Sequence, residues 1–151
     1  MVIRTAWLYS TFGNNFVKTM IRLGKERDTL GVIFDQVGTP TYARDLARAI
    51  FAAIRQGVVP GVYHFSNEGV CSWYDFTHEI FTRAQLLLDA ESANKIASCK
   101  LRSILSSEYQ YQTPRPHYSV LNKSKIKQTF GISIPHWTDA LQVCLEKLLS
   151  D

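Results

Sequence analysis

Val2-Ile3-Arg4-Thr5-Ala6-Trp7-Leu8-Tyr9, followed closely by Asn14-Asn15-Phe16-Val17 and the run to Arg27, decides the fold class. The first eight residues are β-branched and aromatic enough to predict a strand. Asn14 or Asn15 then predicts a helix cap, and Phe16, Val17, Met20, Leu23 and Gly24 fall on one helical face. The same strand-then-helix order continues outward. Thr29 to Phe34 reads as a strand that ends in the turn-rich Asp35-Gln36-Val37-Gly38-Thr39-Pro40. Thr41 reads as the cap of a helix in which Ala43, Leu46, Ala47, Ile50, Phe51 and Ile54 recur at helical spacing, stopped by Gly57. Gly61 to Phe65 predicts another strand, and Ser72-Trp73-Tyr74-Asp75 is a capping box opening a helix through Trp73, Phe76, Ile80 and Ala84. Leu88 to Gln112 has no sustained period; a short strand near Ala97 to Leu101 and then loop are expected there. Asn122 predicts the cap of a short helix ending at Gly131. A last helix from about Trp137 to Leu149 carries the stripe Leu141, Cys144, Leu145 and Leu148. Alternating strands and helices predict an α/β chain.

A chain of 151 residues, 46% hydrophobic and 20% charged, can bury one core. The net charge of +4 permits an anionic ligand but does not argue for nucleic acid. No apolar run approaches the length of a membrane span, and Met1 to Tyr9 has no signal-peptide core, so a soluble, cytoplasmic protein is expected. Cys71, Cys99 and Cys144 are scattered and odd in number, and the four histidines lack ligand spacing, so neither a disulfide framework nor a metal site is expected. The glycines at 13, 24, 31, 38, 57, 61, 69 and 131 form no dinucleotide-binding fingerprint, and Walker A and G-x-S-x-G patterns are missing. The sequence thus carries no recognisable catalytic constellation.

The run Arg4-Thr5-Ala6-Trp7-Leu8-Tyr9 through Gly13-Asn14-Asn15-Phe16-Val17, with Thr19-Met20-Ile21-Arg22-Leu23 and Glu26-Arg27, resembles the dTDP-4-dehydrorhamnose reductase family. Asp35-Gln36-Val37-Gly38-Thr39-Pro40-Thr41 with Asp45-Leu46-Ala47 looks like that family's second signature. Gly61-Val62-Tyr63-His64, Ser72-Trp73-Tyr74-Asp75-Phe76 and Arg115-Pro116 with Ser119 complete a resemblance that runs in order from end to end. It implies the second half of an extended short-chain reductase, residues 1–151 being a late Rossmann strand plus the small substrate-binding domain. The absent first half is expected to carry the cofactor turn and the Tyr/Lys pair of such enzymes. None of the seven tyrosines here has a Lys four residues on. The implied reaction is hydride transfer from NADPH or NADH to the C4 keto group of dTDP-4-dehydro-L-rhamnose. This half would bind and orient the sugar nucleotide and be inactive alone.

On that resemblance Trp7 is the first substrate-binding candidate, an indole that can stack on the sugar at the carboxyl edge of the sheet. Thr5, on the same strand face by alternation, stands where related enzymes place a residue near the nicotinamide and is the cofactor-binding candidate. Gln36 is a substrate or domain-closure contact. Arg115, held between two prolines, suits a diphosphate because its planar fork donates two hydrogen bonds at once. Trp73, Trp137 and Phe76 read as packing residues. Some family members bridge a dimer through magnesium near the Asp45-Leu46-Ala47 helix; Arg44 stands there and cannot ligate a metal, although a homodimer remains compatible with the sequence. Two alternatives stay open: a regulatory or scaffolding subunit of the same fold, as in the regulatory subunit of methionine adenosyltransferase, or a related sugar-nucleotide reductase or epimerase.

Overall fold

The computed structural model describes residues 1–110, 113 and 115–150; Tyr111 and Gln112, at the end of the aperiodic stretch, and Pro114 and Asp151 lie outside the described residues. Its elements are β1 (Val2–Arg4), β2 (Leu8–Tyr9), α1 (Phe16–Glu26), β3 (Thr29–Ile33), β4 (Val37–Gly38), β5 (Thr41–Tyr42), α2 (Ala43–Arg55), β6 (Val62–His64), β7 (Cys71–Ser72), α3 (Trp73–Leu87), α4 (Ala90–Ser98), β8 (Lys100–Ile104), α5 (Ser124–Phe130) and α6 (Trp137–Leu149). Three parallel pairs, β1 with β6, β2 with β5 and β3 with β8, and one antiparallel pair, β4 with β7, make a mixed α/β architecture. No helix among the described residues is long and apolar enough to cross a membrane.

Local chemistry places most elements as expected. The Asn15 carboxamide oxygen accepts from the Lys18 N–H at 3.3 Å and starts α1. Ser72 and Asp75 close both bonds of the capping box that starts α3. Gly131, at φ 57°, ends α5 in the left-handed conformation.

Four expectations need correction. The strand predicted over Val2–Tyr9 is interrupted: β1 pairs with β6, β2 pairs with β5, and the chain changes partner across Thr5-Ala6-Trp7. Thr41 does not cap α2; it belongs to β5, and its hydroxyl donates to the Ala6 carbonyl at 2.7 Å instead. The stretch after Leu88 holds a helix, α4, capped by Asp89 accepting from the Ser92 N–H at 2.9 Å, and the strand follows it at Lys100–Ile104. Asn122 accepts from the Ser124 N–H one position before the cap, which Lys123 occupies.

Two apolar clusters result. The larger joins α1, α3 and α6 through residues such as Val17, Phe76, Ile80, Leu141 and Leu145, each completely buried side chain contributing about 1.5–3 kcal/mol. The smaller seats α2 and α5 on β6 through Ala49, Ala53, Tyr63, Phe65, Ile126 and Phe130. The stripe read on α2 is wider than the face these residues cover: Phe51 and Ile54 are 64% and 55% exposed. Val2 and Val62, paired across β1 and β6, are exposed as well, although parallel sheets are ordinarily covered on both faces.

Candidate functional site

The chain's change of partner after β1 sets Trp7 in an unusual backbone state. Its φ is 51°, and among the described residues no other non-glycine has a positive φ. A bulky residue there costs about 1–3 kcal/mol and persists only where neighbours over-determine it. Those neighbours are in Thr41, which is fully buried. The Thr41 N–H donates to the Trp7 carbonyl at 3.0 Å, and its hydroxyl donates to the Ala6 carbonyl while accepting from Thr5 at 3.3 Å.

The ring is held just as closely. Trp7 and Trp73 stack with centroids 3.5 Å apart and planes within 10°, and Phe16 leans on Trp73 at 4.5 Å. Trp73 is the first residue of α3, directly after β7, and the antiparallel pairing of Gly38 with Cys71 brings β4 alongside. At Gly38 a Cβ would stand 2.7 Å from Trp7 Cε2, so only a glycine backbone lets the indole edge lie there. A strap across the same place is fixed to β4: the Val37 N–H donates to the His117 carbonyl and the Ser119 N–H to the Val37 carbonyl, both at 2.8 Å. Asp35 anchors it from the other side, accepting from the Ser106 N–H at 2.8 Å and its hydroxyl at 2.7 Å, with the His117 imidazole 3.6 Å away. Desolvation works against the Asp35 carboxylate, but the Ser106 bonds and His117 outweigh it and hold its pKa below the usual value.

Trp7, Gln36, Trp73, Arg115 and Ser119 line one cavity of about 350 Å³. Gln36, Trp73 and Arg115 also line a second, of about 580 Å³, whose far wall is Phe16, Met20 and Leu30. The two share Gln36, Trp73 and Arg115, so one groove runs from the Trp7 side to the Phe16 side with a guanidinium on its wall. A guanidinium beside aromatic rings can hold an anionic group next to a stacked ring. Another cavity, of about 440 Å³ between α2 and the turn after α5, has no tie to these residues.

The family model of the RmlD substrate binding domain matches residues 1–150. The chain belongs to this family. Among its curated relatives, the spore coat polysaccharide biosynthesis protein SpsK of Bacillus subtilis is 40% identical over 97% of the chain and 47% of its own length. The dTDP-4-dehydrorhamnose reductase of Escherichia coli is 37% identical over the whole chain and 49% of its own length. The chain spans about half the length of the curated relatives it matches. Among solved structures, a dTDP-4-dehydrorhamnose reductase from Clostridium acetobutylicum superposes with TM-score 0.84 at 40% identity, covering 97% of this chain and 48% of that one. That of Bacillus anthracis, in complex with NADP, superposes with TM-score 0.81 at 36% identity, covering 96% and 47%.

Within this RmlD-family chain the sequence-derived candidates Trp7, Gln36 and Arg115 come together, Gln36 almost fully buried and Arg115 exposed. Thr5 is exposed at the end of β1 and does not line the groove; the break in the strand removes the alternation that aligned it with Trp7. From sequence, Trp73 reads as packing, Thr41 as a helix cap and Gly38 as a turn residue, and none of the three reads as part of a site. Trp73 packs on the larger cluster, as its core spacing in α3 predicts, and being only half-buried it also lines the groove. Its place directly after the Ser72 cap was the available signal, since first-turn residues stand at the end of an element where ligands reach them.

Proposed function

We propose that this chain is the sugar-nucleotide-binding half of an NAD(P)H-dependent dTDP-4-dehydrorhamnose reductase. One observation carries the reading: the Trp7 indole, the Gln36 amide and the Arg115 guanidinium, far apart in sequence, line one groove in a chain about 40% identical to proteins of that name. The sugar would lie against Trp7, the diphosphate against Arg115, whose fork can donate two bonds, and the base between Phe16 and Leu30. Gln36, fixed by burial, would orient the ligand.

The cofactor, NADPH or NADH, supplies the hydride when bound. Within this chain Thr5 is the residue that fits a contact to it, being exposed at the carboxyl end of a parallel strand where α/β sheets bind such groups; the glycine turn that cradles a pyrophosphate is not in the sequence. Additional chain would supply the cofactor-binding half. The open edge of β1, the exposed Val2 and Val62, and the uncovered Phe51 and Ile54 on α2 are where its sheet and helices would pack.

The test is reduction of dTDP-4-dehydro-L-rhamnose by the protein carrying its cofactor half, followed by loss of NADPH or NADH absorbance. Turnover that collapses in Trp7→Ala, with dTDP still bound, is the expected result. A folded protein that binds dTDP yet oxidises neither cofactor would refute the reductase and leave a binding or regulatory subunit.

A further inference from the structure

Three features around Trp7 are more than packing requires. Its backbone occupies a conformation that the two hydrogen bonds from buried Thr41 enforce. Its ring is stacked flat on Trp73. Its far edge lies where Gly38 offers no side chain. A tryptophan serving only the core would reach the same burial with an ordinary backbone, and Trp7 is not fully buried; one part of the indole still faces the groove. The strain is therefore spent on direction.

We propose that Thr41 and Trp73 are positioning residues for Trp7: Thr41 pins its backbone and Trp73 fixes its ring plane, so that the wall facing the sugar is set before the ligand arrives. This rests on the reductase reading above. A wall set in advance acts on the orientation of the reacting carbonyl more than on ligand affinity where the substituted residue does not itself line the groove, as Thr41 does not, whereas Trp73 also lines both cavities and supports Phe16.

The variants are Thr41→Val, which keeps shape and removes the hydroxyl, Thr41→Ser, which restores it, and Trp73→Ala beside Trp73→Phe. In the protein with its cofactor half, Thr41→Val and Trp73→Ala are expected to lower kcat about 10- to 100-fold, the scale of a small misplacement in the reacting pose. In Thr41→Val, KM and dTDP affinity should stay near their unsubstituted values, whereas Trp73→Ala, which opens a groove wall, should also weaken dTDP binding; Thr41→Ser and Trp73→Phe should recover most of kcat. Independently of turnover, the chain labelled with 5-fluorotryptophan gives a ¹⁹F signal for Trp7, assigned by Trp7→Phe. That signal should be single in the parent and broaden or split in Thr41→Val, returning with Thr41→Ser. In Thr41→Val, a single unshifted signal with unchanged kcat overturns the proposal, and so does a parallel loss of dTDP affinity, kcat and thermal midpoint, which marks a purely structural role. If the parent protein reduces no sugar nucleotide, the reductase reading fails, while the ¹⁹F signal still decides whether Thr41 pins Trp7.

Discussion

Replacing Gly38 by alanine isolates the close approach between β4 and the Trp7 indole. The added Cβ would stand 2.7 Å from both Trp7 Cε2 and Ser119 Oγ, and 2.9 Å from Trp7 Cζ2. Ser119 can turn its hydroxyl away at the loss of its 3.2 Å bond to the Val37 carbonyl. Any retreat of the indole would disturb its stack on Trp73. Overpacking of this kind costs about 1–3 kcal/mol. Against it, alanine narrows the unfolded ensemble and returns about 0.4–1 kcal/mol; Gly38 has no positive φ, so no backbone penalty is added. The net expectation is a loss of about 1.5 kcal/mol, or roughly 3–6 °C in Tm for a chain of this size. Thermal unfolding followed by near-ultraviolet circular dichroism measures both the stability and the tryptophan environment. A double-variant cycle with Trp7→Phe tests the cause, since the smaller ring should relieve the clash and give a coupling of about 1 kcal/mol. An unchanged or raised Tm, or strictly additive effects in the cycle, would refute the steric account.

Three further outcomes follow from the same geometry. The Tyr9 hydroxyl is buried with no hydrogen-bond partner among the described residues, and burial pushes its pKa far up; Tyr9→Phe should therefore leave stability unchanged or raise it by up to about 1 kcal/mol in urea unfolding. Asn67 is fully buried, accepts from the Tyr42 N–H at 2.8 Å, and donates to the Asp45 carboxylate at 2.9 Å and the Pro135 carbonyl at 3.3 Å. Asn67→Ala should cost about 3 kcal/mol or more, measured the same way, since each partner left unpaired costs about 1–3 kcal/mol. Asp35 has a folded-state pKa below its unfolded value, so its contribution is fully present above the ordinary carboxylate range and is lost as pH falls through the folded value. Asp35→Asn should lower Tm at neutral pH and flatten the acid limb of Tm against pH; an acid limb identical to the parent's would show that the Ser106 anchor does not contribute.

The elements legible in the sequence are those whose signals are local. The Ser72–Asp75 capping box opens α3 where it was read, Asn15 caps α1, and α6 runs from Trp137 to Leu149 on its own stripe. The misses arise where a distant partner decides. Nothing within Val2–Tyr9 announces that β1 will pair with β6 and β2 with β5, and that exchange puts Trp7 in the left-handed region. In α4 Ile96 is the one buried residue, so periodicity had almost nothing to register, although Asp89 three residues before Ser92 was a cap in plain view. Of the candidate site, the family resemblance pointed to Trp7, and loop setting and side-chain chemistry to Gln36 and Arg115, which line one cavity; the contacts of Thr41, Gly38 and Trp73 with the Trp7 segment cross 30 residues or more of chain and leave no local signal.

The pairing of β3 with β8 also bears on how the chain reaches this state. Its register sets Thr29 opposite Lys100, so about 70 residues must close into a loop before the first ladder bond forms, and such long-range parallel pairing is slow. The α3 and α4 helices, neighbours in sequence and in contact, can form early on local contacts. The groove cannot, because its walls come from positions 7, 36, 73 and 115. Assembly of the groove thus has to follow the long-range pairings, and in refolding the near-ultraviolet signal of Trp7 and Trp73 should return after most of the helical signal.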